Sequence, residues 1–186
     1  MDQLAFTSDS AGERDCLPLE GLAADSVLLR AATDAEAREA AIRLLLLADV
    51  GEAHVRAWAA AGEIFVLCDS CAFPGECPIG AVLIMPLGSG RTSELRLIAV
   101  SPVRRGLGLG RRMLDDLFDV LRARGVRHMV SSTSNADMAR MALFQKSGFR
   151  LSHVERDGCT PEHGWVPGTR HGGLAERDLL WFEVEL

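Results

Sequence analysis

Residues 100–111 read Val-Ser-Pro-Val-Arg-Arg-Gly-Leu-Gly-Leu-Gly-Arg, and no other stretch restricts the fold as much. An apolar strand pattern runs into them and an amphipathic helix pattern runs out. Between the two, glycines allow positive φ and close approach of a ligand to the backbone. The N–H groups at the following helix start have no carbonyl one turn back, and the helix dipole adds positive potential there. Arg104, Arg105, Arg111 and Arg112 flank the turn. A phosphate or pyrophosphate site is what this combination builds.

The setting of the turn decides among phosphate-binding folds. Upstream, Val27–Arg30 reads as a short strand. Thr33 or Asp34 then caps a helix carrying Ala37, Ala41, Leu44, Leu45 and Ala48 at helical spacing. A second helix covers Glu52–Ala61. Ile64–Cys68, Ile79–Leu87 and Ser93–Val100 form a three-stranded meander, with a turn-rich loop at 69–77. Downstream, Leu109, Met113, Leu114, Leu117, Phe118 and Leu121 mark one helix face, closed by Gly125. Val126–Ser132 is a strand. Asn135 opens another helix with Ala139, Ala142 and Leu143 on one face and Gly148 as its stop. Phe149–Val154 and Asp178–Leu186 are the last strands, and 155–177 a long loop. A dinucleotide-binding domain would alternate strand and helix throughout and hold a ribose with an acidic residue after the next strand. A Walker-type loop needs Gly-Lys-Ser/Thr. Neither pattern is present.

Composition sets outer limits. The 186 residues suit one domain, with polar residues 1–24 as a disordered extension and 25–186 as the domain. A net charge of −6 argues against general nucleic-acid or membrane-surface binding, so the basic charge at 104–112 is local. No apolar run reaches the roughly 20 residues of a membrane span. Residues 1–20 lack the basic and apolar regions of a signal peptide, so a cytoplasmic location is expected. The five cysteines, at 16, 68, 71, 77 and 159, are expected to be reduced. Cys68-x2-Cys71 lacks a fourth ligand in sequence reach, and no metal site is expected.

Two segments then carry a resemblance. Leu97–Gly110, with Arg105, Gly108 and Gly110 at the fixed positions, resembles the acetyl-CoA signature of the GNAT acyltransferase superfamily, Arg/Gln-x-x-Gly-x-Gly/Ala. Asn135-Ala136, followed by Ala142-Leu143-Phe144-Gln145-Lys146-Ser147-Gly148-Phe149, is similar to that family's Asn…Ala-x-x-Leu-Tyr-x-x-x-Gly-Phe segment. The resemblance spans about residues 27–186. It implies an α/β (α+β) fold: a mixed, mostly antiparallel sheet of about seven strands flanked by helices, splayed between strands four and five. It also implies acetyl-CoA as co-substrate and direct attack by a primary amine, borne by a small molecule or a protein, in a ternary complex.

By this resemblance, the CoA pyrophosphate lies on Arg105, Gly106, Leu107, Gly108, Leu109, Gly110 and Arg111. The pantetheine arm runs beside Ile98, Ala99 and Val100. Asn135, Phe144 and Lys146 flank the cofactor. Glu94 stands at the position of the catalytic glutamate of the histone-acetylating branch, as a base acting directly or through water. Alternation puts Arg96 on the same face, where it would lower the Glu94 pKa or bind substrate. Backbone N–H groups near Ala99 and Val100 are candidate oxyanion donors.

Phe144 departs from the family pattern, which has a tyrosine acid there, and the chain contains no tyrosine. A thiol with a pKa near 8.5 can leave as thiolate, with Ser147 or water as substitute donor. His128 and His153 fall in strand patterns. His163, Trp165, His171 and Asp178 belong to the last loop and strand, and Asp178 is a candidate for acceptor recognition. Members of the family often dimerise. Leu180-Trp181-Phe182 fits either a homodimer contact or the core. The competing reading is a CoA-binding regulatory module without catalysis; a nucleotide-binding protein using the same turn is a third.

Overall fold

A computed structural model describes residues 27–48, 51–69, 78–166 and 168–186. The expected extension at 1–24, and Cys16, Cys71 and Cys77, lie outside the described residues. In chain order the elements are β1 (Val27–Ala31), α1 (Ala35–Leu45), α2 (Glu52–Ala61), β2 (Glu63–Asp69), β3 (Gly80–Leu87), β4 (Thr92–Val100), α3 (Leu109–Ala123), β5 (His128–Ser134), α4 (Met138–Lys146), β6 (Arg150–Glu155), β7 (Arg170–His171), β8 (Leu174–Ala175) and β9 (Leu179–Glu185). Seven strands form one sheet in the order β1-β2-β3-β4-β5-β9-β6. Only β4 and β5 pair in parallel.

Both faces of the sheet are covered, which is why its strands read as apolar runs. In β2, Phe65 and Leu67 enter one core, and Ile64 and Val66 the other. The first core packs against Leu109, Met113, Leu114, Leu117, Phe118 and Leu121 of α3. The second packs against Ala41, Ile42 and Leu45 of α1 and Val55 and Ala59 of α2. The Asp34 carboxylate caps α1 by accepting from the Ala37 N–H at 2.7 Å.

Three local expectations change. Helix α4 starts at Met138 rather than Asn135, because the Asp137 side chain caps it, accepting from the Arg140 N–H at 2.9 Å. Its buried residue is Phe144, while Ala139 and Ala142 are exposed. The loop at 155–177 carries a hairpin: β7 and β8 are joined by Gly172 and Gly173, at φ 56° and 84°. Two consecutive left-handed residues are what a tight two-residue turn requires, and glycine supplies them without strain.

Candidate functional site

The site begins with one extra residue in β4. Ile84 of β3 pairs with Leu95, and Leu83 with Leu97, so Arg96 stands between two rungs as a bulge. A bulge shifts the phase of alternation. Leu95 and Ile98 therefore share the α3 face, while Leu97 and Ala99 face α1 and α2. Simple alternation would have placed Ile98 with Glu94 and Arg96.

Glu94 and Arg96 do meet. Arg96 Nη1 donates to Glu94 Oε1 at 2.7 Å, and the guanidinium lies 4.4 Å from the ring centre of Trp58. Glu94 is 8% exposed. Burial pushes its carboxyl above the ordinary value of 4.5, against the opposing pull of Arg96 and a smaller one from His163. This reverses the expected direction: desolvation outweighs the guanidinium. A raised carboxyl is the better base.

The parallel ladder of β4 and β5 runs from Thr92↔His128 to Leu95↔Ser131 and stops. At its end the Ser131 hydroxyl donates to the Leu95 carbonyl at 2.8 Å. Beyond this point the strands diverge around a cleft of about 310 Å³. Ile98, Ala99 and Val100 line one wall, and Thr133 and Ser134 the other. Arg105, Gly110 and Leu143 border it, as do Asp137 and Arg140, with Trp165, His171 and Glu176 from the long loop.

Ser101 donates its N–H to the Ile79 carbonyl, on the β3 side. Alternation then turns the Ala99 peptide to β3 and the peptides of Ile98 and Val100 to the cleft. The Val100 carbonyl accepts from Arg105 Nε at 3.2 Å, as this orientation requires. The oxyanion donors expected near Ala99 and Val100 narrow to the N–H groups of Ile98 and Val100. The Thr133 hydroxyl is fully buried and has no hydrogen-bond partner among the described residues, although its residue lines the cleft.

Past β4, Gly106 and Gly108 sit at φ 79° and 75°, and a Cβ at either would meet nothing within 4 Å. Gly108 leads into α3, so the N–H groups of Leu109, Gly110 and Arg111 open the helix without carbonyl partners one turn back. A Cβ on Gly110 would stand 3.4 Å from Leu143, where α3 crosses α4. Arg111 pairs with Asp115 and Arg112 with Asp116, while Arg105 lines the cleft beside these peptide groups. Unpaired amides, open glycine surfaces, outward peptides on β4 and an orphaned Thr133 hydroxyl suit a long ligand with a phosphate end and an amide-bearing arm.

Other expected residues lie elsewhere. Phe144 is 1% exposed and packs on Phe149 and Phe182, with ring centres 5.2 and 5.5 Å away. It does not line the cleft. Ser147 is buried, its hydroxyl without a partner among the described residues, and Lys146 is exposed. The Asn135 side chain is taken up by the long loop: its Oδ1 accepts from the N–H groups of Arg177 (2.9 Å) and Asp178 (3.1 Å), and its Nδ2 donates to the Ala175 carbonyl (3.2 Å). Asp178 Oδ1 accepts from the Asp157 N–H at 2.8 Å, stapling the same loop. Trp165 and His171, named in the sequence as part of the last loop, do line the cleft; Trp58, Glu176 and Arg140 carry no sequence signal, because only tertiary packing brings them to β4 and β5. Among the described residues no group of three or more His, Cys, Asp or Glu side chains is arranged to hold a metal. None of the described helices is long and apolar enough to cross a membrane.

This fold and cleft define a known class. A model of the acetyltransferase (GNAT) family matches residues 48–149, more than half of the chain. The chain belongs to that family. Among curated proteins it is 33% identical, over 75 residues, to a mycothiol acetyltransferase of Beutenbergia cavernae; the match covers 40% of the chain and 25% of that protein. The chain therefore spans about a quarter of that relative's length. Among solved structures, an IAA acetyltransferase from Bacillus cereus superposes with a TM-score of 0.73 at 26% identity, covering 87% of this chain and 100% of that one. A GNAT family acetyltransferase from Elizabethkingia anophelis, with acetyl-CoA bound, gives a TM-score of 0.73 at 22% identity, covering 87% and 99%.

Proposed function

We propose that the chain is an N-acetyltransferase that moves an acetyl group from acetyl-CoA to a primary amine by direct attack in a ternary complex. One observation carries this reading: the cleft between β4 and β5 opens where their ladder ends and is bordered by the glycine turn. Acetyl-CoA is itself a phosphate end joined by an amide-bearing arm to a thioester, and it supplies the activated acyl group. The N–H groups of residues 106–111 hold the pyrophosphate. The Ile98 and Val100 peptides bond the pantetheine arm or the thioester oxygen, and preorganised N–H donors at a developing oxyanion are worth several kcal/mol.

The acceptor arrives as an ammonium and must lose a proton before it attacks. Glu94 is the buried carboxylate that favours this loss, held in orientation by Arg96 and Trp58. It does not line the cleft, so the proton reaches it through an intermediary rather than by contact. The leaving thiolate needs no tyrosine acid. The acceptor is a small amine or a protein amino group.

One observation favours the alternative, a CoA-binding module without catalysis: Phe144 stands where the family pattern has its acid, sealed in the core. Calorimetric titration with acetyl-CoA, followed by thiol release over an amine panel, separates the two. Catalysis predicts amine-dependent release of CoA; tight binding with no release for any amine identifies the module.

A further inference from the structure

The acceptor amine enters the cleft as a cation, and one carboxylate in the cleft has no cation of its own. Of the charged residues lining the cleft, Asp137 and Arg140 neutralise each other, with Arg140 Nε 3.3 Å from Asp137 Oδ2. Arg105 Nε donates to the Val100 carbonyl at the glycine turn. Glu176 remains. It lines the cleft, and among the described residues it makes no ion pair. A half-buried carboxylate facing a cleft without a countercharge is a place for a cationic ligand.

The carboxylate is also held in place. Ser134, at the end of β5, is buried and lines the same cleft. Its hydroxyl donates to Glu176 Oε1 at 2.6 Å, which sets the Glu176 carboxylate against the β5 wall. Oε2 has no hydrogen-bond partner among the described residues. The backbone is fixed as well. Asn135 bonds Ala175, Arg177 and Asp178, on both sides of Glu176. The Glu176 N–H donates to the Thr169 carbonyl at 3.1 Å, one rung beyond the β7–β8 pairs Arg170↔Ala175 and His171↔Leu174. Alternation along that hairpin puts His171 and Glu176 on one face, and both line the cleft. Trp165 adds an aromatic wall.

We infer that Glu176 receives the ammonium group of the acceptor on its free Oε2, and so selects alkylamines, which are cationic at neutral pH, over uncharged arylamines. The inference rests on the acetyl-transfer reading above. Acetyl-CoA is a poor match for this carboxylate. Its phosphate end is anionic, and its amide-bearing arm has the outward peptides of β4 as partners. The acceptor supplies the missing positive charge. An aromatic face such as that of Trp165 attracts the same cation. Asp178, the loop carboxylate expected to recognise the acceptor, is turned instead to the Asp157 N–H. Glu176 is a binding and specificity residue. It holds the ammonium and does not take its proton, so its removal acts on KM for the amine more than on kcat.

Glu176→Gln tests this with little disturbance of the fold, because the amide oxygen still accepts from Ser134 while the charge is lost. Steady-state kinetics over a panel of alkylamines and arylamines, with calorimetric titration of acetyl-CoA, supply the readouts. The wild type should favour alkylamines in kcat/KM. The Gln variant should bind acetyl-CoA as the wild type does and raise KM for the best alkylamine about tenfold or more, with a smaller change in kcat. Glu176→Asp, which keeps the charge, should recover part of that loss. An unchanged KM in the Gln variant overturns the inference, as does a loss confined to kcat or to acetyl-CoA affinity. A wild type that acetylates arylamines as well as alkylamines also overturns it. All these outcomes leave acetyl transfer standing. A wild type that binds acetyl-CoA yet transfers to no amine overturns the acetyl-transfer reading, and this inference with it.

Discussion

Glu94 shows how single-residue chemistry follows from packing. Burial raises its carboxyl and Arg96 lowers it, with burial winning. Carbon-13 titration of the side-chain carboxyl therefore gives a value above 4.5. Arg96→Gln removes the main opposing influence and moves that value higher still; a downward move would show that the ion pair, not burial, dominates. The linkage sign follows. A carboxyl raised in the fold adds stability below its unfolded value and loses it as pH climbs through the folded one. Urea unfolding of the wild type should thus lose ground to Glu94→Gln as pH rises above 4.5. Cys159 gives a second residue-scale test. Burial, with Glu176, Asp178 and Glu155 nearby, pushes its thiol up to about 12. At pH 8 it carries almost no thiolate, the form that reacts. Peptide mass spectrometry after brief iodoacetamide treatment should find Cys159 unmodified in the native protein and alkylated after denaturation.

Among the elements, the join of β4 to α3 and the long loop make separate predictions. Gly108→Ala forces a side chain into the left-handed region at a cost of about 1–2 kcal/mol. No neighbour clashes there, so its stability loss is confined to that strain. Gly110 tests the cleft itself. Gly110→Ala places a Cβ in tight but ordinary contact with Leu143, whereas Gly110→Val adds branches toward Leu143 and Val100, both of which line the cleft. Calorimetry should show acetyl-CoA affinity nearly kept by the first and weakened about tenfold or more, at least 1.4 kcal/mol, by the second. Equal affinities would place the donor elsewhere. Asn135→Ala breaks three hydrogen bonds to residues 175–178. At about 1 kcal/mol each it should cost up to about 3 kcal/mol. Amide exchange should quicken across 170–178, the segment that brings His171 and Glu176 to the cleft.

At the scale of the molecule, the glycine turn and its flanking elements were more legible in the sequence than the long loop, and the reason is physical. The glycine turn, the helix face Leu109–Leu121 and the meander before them are local patterns, so periodicity and turn chemistry expose them. The splay between β4 and β5 came from the resemblance, and the ladder ending at Leu95↔Ser131 bears it out. The bulge at Arg96 left no local mark, because it depends on how β3 pairs across the gap. The Trp58–Arg96 stack joins α2 to β4, and the His163–Glu155 approach joins the long loop to β6. The Gly172-Gly173 turn was legible but lay inside a stretch read as loop.

The claim that joins these scales is that a donor thioester lies in the β4–β5 cleft and is attacked there by an amine. Acetylated product, measured by mass spectrometry together with free thiol in one assay of acetyl-CoA and an amine panel, tests it most directly. The account predicts product and thiol in equal amounts for at least one amine, and loss of both in Gly110→Val. Saturable acetyl-CoA binding with neither product nor thiol from any amine would contradict it.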